Sequence, residues 1–166
     1  MSTKTIIIGL IVFLIAIVGI TFLFTSGQKP VPKTVAYAID AQERPIAQVD
    51  NKFINVGQMK VTDEKNADFT LKNVGTKPLQ ILNVTSSCHC TFGQILYKEF
   101  KSKQYSMGGA SDEYVTDIAP GDSATVRAIY IPSIMPVSGI IEREIYITTN
   151  DHNNSKIILS IQANVK

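Results

Sequence analysis

Two kinds of hydrophobic pattern divide this chain. From Ile6 to Phe24 (IIIGLIVFLIAIVGITFLF) nineteen consecutive residues carry no charge and no amide. As a helix this run is about 28 Å long at roughly 1.5 Å per residue, close to the hydrocarbon thickness of a bilayer. The pattern predicts a single transmembrane helix over residues 6–24. A cleavable signal peptide is the rival reading, since Lys4 supplies a positive start. Its apolar core, however, is longer than the usual ~7–15 residues, and the small-x-small site Ala36-Tyr37-Ala38 lies well beyond Phe24.

After this run the period falls to two. In NADFTLKNVG, Ala67, Phe69 and Leu71 alternate with Asp68, Thr70 and Lys72; in SKIILSIQANVK, Ile157, Leu159, Ile161, Ala163 and Val165 alternate with Ser160, Gln162 and Asn164. Such alternation is the signature of strands with one face in a core. Further strands are predicted at Phe53–Val61, Pro78–Thr85, Ser123–Ile131 and Gly139–Thr149, and a helical turn or two at Ile95–Phe100. Turn signals separate them at Gly75-Thr76-Lys77-Pro78, Pro120-Gly121-Asp122 and Asn150-Asp151-His152-Asn153-Asn154. The expectation is an all-β sandwich of about seven strands behind a single N-terminal transmembrane helix. Residues 1–27 form the anchor, 28–44 a linker stiffened by Pro30 and Pro32, and 45–166 the folded domain.

Composition narrows the function. The chain of 166 residues is 45% hydrophobic and 18% charged, with 16 Lys and Arg against 14 Asp and Glu. The basic residues are scattered, so nucleic acid is not an expected partner. The two histidines, His89 and His152, stand in no hydrolase or metalloprotease motif, and Glu142 and Glu144 flank Arg143 as on an exposed strand face. The chain is not expected to be an enzyme. A short N-terminal tail before a long domain favours a cell-membrane location with the domain extracytoplasmic, although the flanking lysines do not decide orientation.

The concentrated chemistry is Cys88-His89-Cys90, which holds both cysteines. On an extended strand, residues two apart share a face, so both thiols reach one side and His89 the other. Three readings stay open. Two thiolates are enough for Cu(I), making Cys88 and Cys90 candidate metal ligands; zinc requires ligands the chain does not group. The pair could instead be a redox couple, or it could pack as two small apolar groups at a strand end.

The motifs Phe53-Ile54-Asn55-Val56-Gly57, Pro78-Leu79-Gln80-Ile81, Ser87-Cys88-His89-Cys90-Thr91, Pro120-Gly121 and Thr149-Asn150-Asp151 occur in that order. In this the chain resembles the bacterial family known as domain of unknown function fifteen-seventy-three. The resemblance implies an immunoglobulin-like sandwich in an extracytoplasmic setting and no settled activity. Two departures stand out: His89 where the family has a small residue, and an apparent insertion at 97–117. Tyr97, Phe100, Tyr105, Met107 and Tyr114 make that insertion a candidate contact surface for a protein partner, with no cofactor expected unless copper.

Overall fold

The alternation becomes two five-stranded sheets in the computed structural model, which describes residues 3–25, 34–38, 41–108 and 114–166. The strands are β1 (Ala47–Val49), β2 (Phe53–Met59), β3 (Lys65–Asn73), β4 (Leu79–Ser86), β5 (Thr91–Tyr97), β6 (Phe100–Lys101), β7 (Thr116–Ile118), β8 (Ser123–Tyr130), β9 (Gly139–Thr149) and β10 (Lys156–Val165). One sheet runs β1-β3-β8-β5-β6 and the other β2-β10-β9-β4-β7. Pairing is antiparallel except between β2 and β10. The count is ten rather than about seven, because β1, β6 and β7 have only two or three residues. Segments that short carry no readable period.

The helical turn predicted at Ile95–Phe100 is a hairpin. Leu96 pairs with Lys101 and Tyr97 with Phe100, and Lys98 takes a left-handed φ of 52° in the connection. Alternation governs the segment, since Ile95 is buried and Tyr97 packs against the core behind it.

The core is the slab between the sheets. Phe69, Leu71, Ile95 and Val126 meet Leu79, Ile81, Val84, Ile145, Ile147, Leu159 and Ile161, all essentially inaccessible. Burial of side chains this large is the main stabilising contribution, at roughly 1.5–3 kcal/mol each. In β4 the register slips between Ile81 and Asn83. The inward set therefore runs Ile81 then Val84, a step of three that breaks strict alternation.

Buried polar side chains close the end of the sandwich where the linker arrives. Asn73 accepts hydrogen bonds from the Ile46 and Gly75 N–H groups (3.3 and 3.0 Å) and donates to the Lys77 and Ile118 carbonyls (2.8 and 2.9 Å). Asn150 accepts from the Gln80 N–H (2.8 Å) and donates to the Val35 carbonyl (3.3 Å). Asp151 accepts from the Ala47 N–H and from Asn154 Nδ2 (2.9 and 2.8 Å). A Cβ at Gly75 would overlap the Arg44 carbonyl oxygen and the Ile46 nitrogen, so only glycine lets the backbones pass this closely. The Val35 N–H also bonds Gln80 Oε1 (2.8 Å), so part of the predicted linker is tied to the domain.

The chain divides into units at residues 1–32 and 33–166. The first contains helix α1 (Thr3–Thr25), whose described side chains from Ile6 to Phe22 are all exposed. Among the described residues no helix is long and apolar enough to cross a membrane. The backbone of α1 continues to Thr25, but side chains 23–25 lie outside the described residues, and the run 6–22 falls just short of the ~20 residues a span requires. The span predicted over 6–24 is therefore not carried by the described residues.

Replacing Asn73 by Ala is expected to lower unfolding stability by about 3 kcal/mol, since two N–H groups and two carbonyls lose their partner. Urea unfolding followed by circular dichroism measures it. Lys72→Ala, an exposed neighbour, should change stability by less than about 0.5 kcal/mol.

Candidate functional site

Residues 87–90 form the turn that carries the chain from β4 in one sheet to β5 in the other. The predicted extended strand, with both thiols on one face, is corrected here: the backbone turns, and it is the turn that places Cys88 and Cys90 inward at 7% and 0% exposure while His89 faces solvent. The two sulfurs are bonded to each other, with a Cα–Cα separation of 5.3 Å. The Cu(I) expectation for Cys88 and Cys90 thus meets a pair that offers no thiolate. Among the described residues no three His, Cys, Asp or Glu side chains group to hold a metal ion.

Hydrogen bonds fix the turn on all sides. The Ser87 N–H donates to the Glu144 carbonyl (2.9 Å), and the Glu144 N–H donates to Ser87 Oγ (3.0 Å). The Ile131 N–H donates to the Cys90 carbonyl (2.9 Å), binding the turn to the end of β8. Ser86 Oγ shares its proton between the Cys88 and Thr91 carbonyls, at 2.7 and 2.6 Å. Cys88 Sγ accepts the Cys90 N–H at 3.2 Å and lies 3.3 Å from Thr91 Oγ1, which is 3.9 Å from Cys90 Sγ. Two residues further on, a Cβ at Gly93 would sit 2.7 Å from Val84 Cγ1 and 3.0 Å from Ile145 Cγ2. Glycine there lets β5 approach the facing sheet.

Two buried polar atoms at this end have no hydrogen-bond partner among the described residues, Tyr130 Oη and Arg143 Nε. Tyr130 sits directly opposite Thr91 in the β5–β8 register, and Arg143 precedes the Glu144 that pairs with Ser87. Burial pushes the Tyr130 hydroxyl above its ordinary range, and the nearby Arg143 charge opposes that shift.

The insertion 97–117 is largely built structure. Tyr97 Oη donates to Asp122 Oδ2 (2.7 Å) and accepts from the Ala119 N–H (3.1 Å), making Tyr97 a clamp. Tyr105 exchanges both backbone hydrogen bonds with Gly93 (2.8 and 2.9 Å) and packs against the core. Tyr114 is half-buried, its hydroxyl pushed up to about 12 by burial and by Asp117. Of the five predicted contact residues, Phe100 and Met107 are exposed, at 40% and 42%. Residues 109–113 lie outside those described.

Residues 47–108 match the family model for Protein of unknown function (DUF1573). The DUF1573 match runs from β1 past Tyr105 and contains the Cys88-His89-Cys90 turn. No curated protein matches the sequence. Among solved structures, a protein of unknown function from Porphyromonas gingivalis W83 is similar at a TM-score of 0.58 and 20% identity, over 76% of this chain and 50% of that one. A family 123 glycoside hydrolase from Clostridium perfringens is similar at 0.52 and 11%, over 74% of this chain and 27% of that one. This chain thus spans half or less of either protein, and the likeness is one of fold: a two-sheet, immunoglobulin-like sandwich.

Two outcomes follow from the geometry. The disulfide closes a ring of only three residues, so reducing it should cost about 1.6 kcal/mol of loop entropy and leave the domain folded. Urea unfolding with and without reductant should show one cooperative transition at a slightly lower midpoint. The second outcome concerns Asp122, whose carboxylate is held below the ordinary 3.8 by hydrogen bonds from Lys98 and Tyr97. Its contribution is present above pH ~4 and fades as pH falls below that value, because the unfolded carboxyl takes its proton first. Asp122→Asn should therefore destabilise at pH 6 and much less at pH 2, as thermal melts at the two pH values would show.

Proposed function

We propose that this chain is a membrane-anchored, extracytoplasmic immunoglobulin-like module that works by binding an acidic protein surface, in adhesion or envelope assembly. The observation that carries the reading is the β5–β6 hairpin. It presents Phe100, 40% exposed, beside the exposed Lys101 and Lys103, with Lys98 paired to Asp122 and Glu99 at the turn. An aromatic anchor flanked by cations fits a partner that is acidic around an apolar pocket. The hairpin is held rigid from below. Ser102 receives the Ile95 N–H on its hydroxyl (2.9 Å) and Gln94 Nε2 on its carbonyl (2.9 Å), and Lys98 pairs with Asp122 (2.8 Å). A pre-organised contact loses little entropy on binding.

The nineteen-residue uncharged run at 6–24, within a helix exposed on every described side, supports the anchor. The Cys88–Cys90 bond supports an oxidising compartment, since such bonds persist outside the reducing cytosol.

A photo-reactive side chain placed at Phe100 in native membranes tests the reading. It should yield one discrete adduct to an acidic protein, reduced about tenfold by Lys101→Glu with Lys103→Glu. Adducts to lipid alone, or a protein adduct indifferent to the charge reversal, would contradict it.

A further inference from the structure

We propose that Cys88 and Cys90 are an exchangeable redox pair that accepts two electrons from the dithiol of another protein, with Cys88 carrying the mixed disulfide and Cys90 serving as the first leaving group. This goes beyond the binding role of the hairpin and does not depend on it. Two features of the turn carry the assignment.

The first is asymmetry of access. Cys88 retains 7% exposure beside the solvent-facing His89, whereas Cys90 has none. An incoming thiolate therefore reaches Cys88. The second is the donor set. Cys88 Sγ already faces the Cys90 N–H at 3.2 Å and the Thr91 hydroxyl at 3.3 Å. Both bonds strengthen when that sulfur becomes an anion, because charge-assisted hydrogen bonds are about twice as strong as neutral ones.

The partner's thiolate attacks Cys88 Sγ; a partner–Cys88 bond forms, the Cys88–Cys90 bond breaks, and Cys90 leaves as a thiolate that takes up a proton. The partner's second thiolate then attacks its own sulfur in the mixed disulfide. Cys88 is expelled as a thiolate onto the Cys90 N–H and the Thr91 hydroxyl. The partner ends as a disulfide and this chain as a dithiol with one proton withheld. Two electrons have passed from partner to pair. Thr91 is a positioning residue in this scheme, acting through the sulfur it touches.

The full chain in detergent, equilibrated with graded ratios of reduced to oxidised dithiothreitol, quenched in acid, alkylated and weighed, tests the proposal. The folded pair should reduce in a single two-electron step. Thr91→Val should lower the reduced-to-oxidised ratio at a given dithiothreitol ratio by about tenfold, and Thr91→Ser should restore it. With glutathione disulfide, Cys88 in a Cys90→Ser chain should form the mixed disulfide at least about tenfold faster than Cys90 in a Cys88→Ser chain. The proposal is overturned if the wild-type pair stays oxidised in the folded chain under a thousandfold excess of reduced dithiothreitol, a result that needs no variant to fold. It is equally overturned if Val and Ser at position 91 behave alike, or if Cys90 reacts as fast as Cys88.

Discussion

A β-sandwich has to satisfy the backbone polar groups at its two ends, where the ladders stop and the chain crosses between sheets. Here the two ends use different chemistry. At the linker end, Asn73, Asn150 and Asp151 reach N–H and carbonyl groups that belong to β1 and the residue before it, β4, β7, the 74–78 turn and the linker itself. These amides and this carboxylate stand in for strand partners. At the opposite end the β4–β5 crossover is closed by Ser86, Ser87, Thr91 and a sulfur–sulfur bond. The first closure consists of hydrogen bonds that only unfolding breaks. The second contains one bond that chemistry can open.

This difference explains why the motifs of the chain fall where they do. Asn73-Val74-Gly75 pairs a hydrogen-bonding hub with a glycine that admits the crossing Arg44–Ile46 backbone. Thr149-Asn150-Asp151 completes the same corner, with Thr149 Oγ1 accepting the Asp151 N–H at 3.1 Å. Both motifs belong to folding. Cys88-His89-Cys90-Thr91 belongs to a place where structure and reactivity meet, because the residues that close the end also surround the sulfur.

Much of the fold was legible because period two is a direct image of a half-buried strand, as in Ile157, Leu159, Ile161, Ala163 and Val165, all of which face the core. The illegible parts share one cause: long-range pairing overrides local signal. Strands β6 and β7 exist only because β5 and β4 are there to pair with them, and Tyr97 is a clamp only because Asp122 arrives from a distant turn. The site was half legible. That the thiols and His89 would face opposite ways is borne out, but through a turn rather than a strand. Nothing local in the sequence places Thr91 opposite Tyr130 or brings Arg143 to the same end of the core; that is a consequence of register.

The two ends of the sandwich should behave independently, one held by hydrogen bonds and one chemically openable. Amide hydrogen exchange on the full chain, oxidised against reduced, measures this directly. Reduction should raise exchange at Ser87, Thr91 and Ile131, whose acceptors are carbonyls of the turn and its neighbour, while the amides of Ile46, Ala47, Gly75 and Gln80 keep their protection. Loss of protection at both ends together would show that the sandwich depends on the sulfur bond as a whole, and would contradict the account.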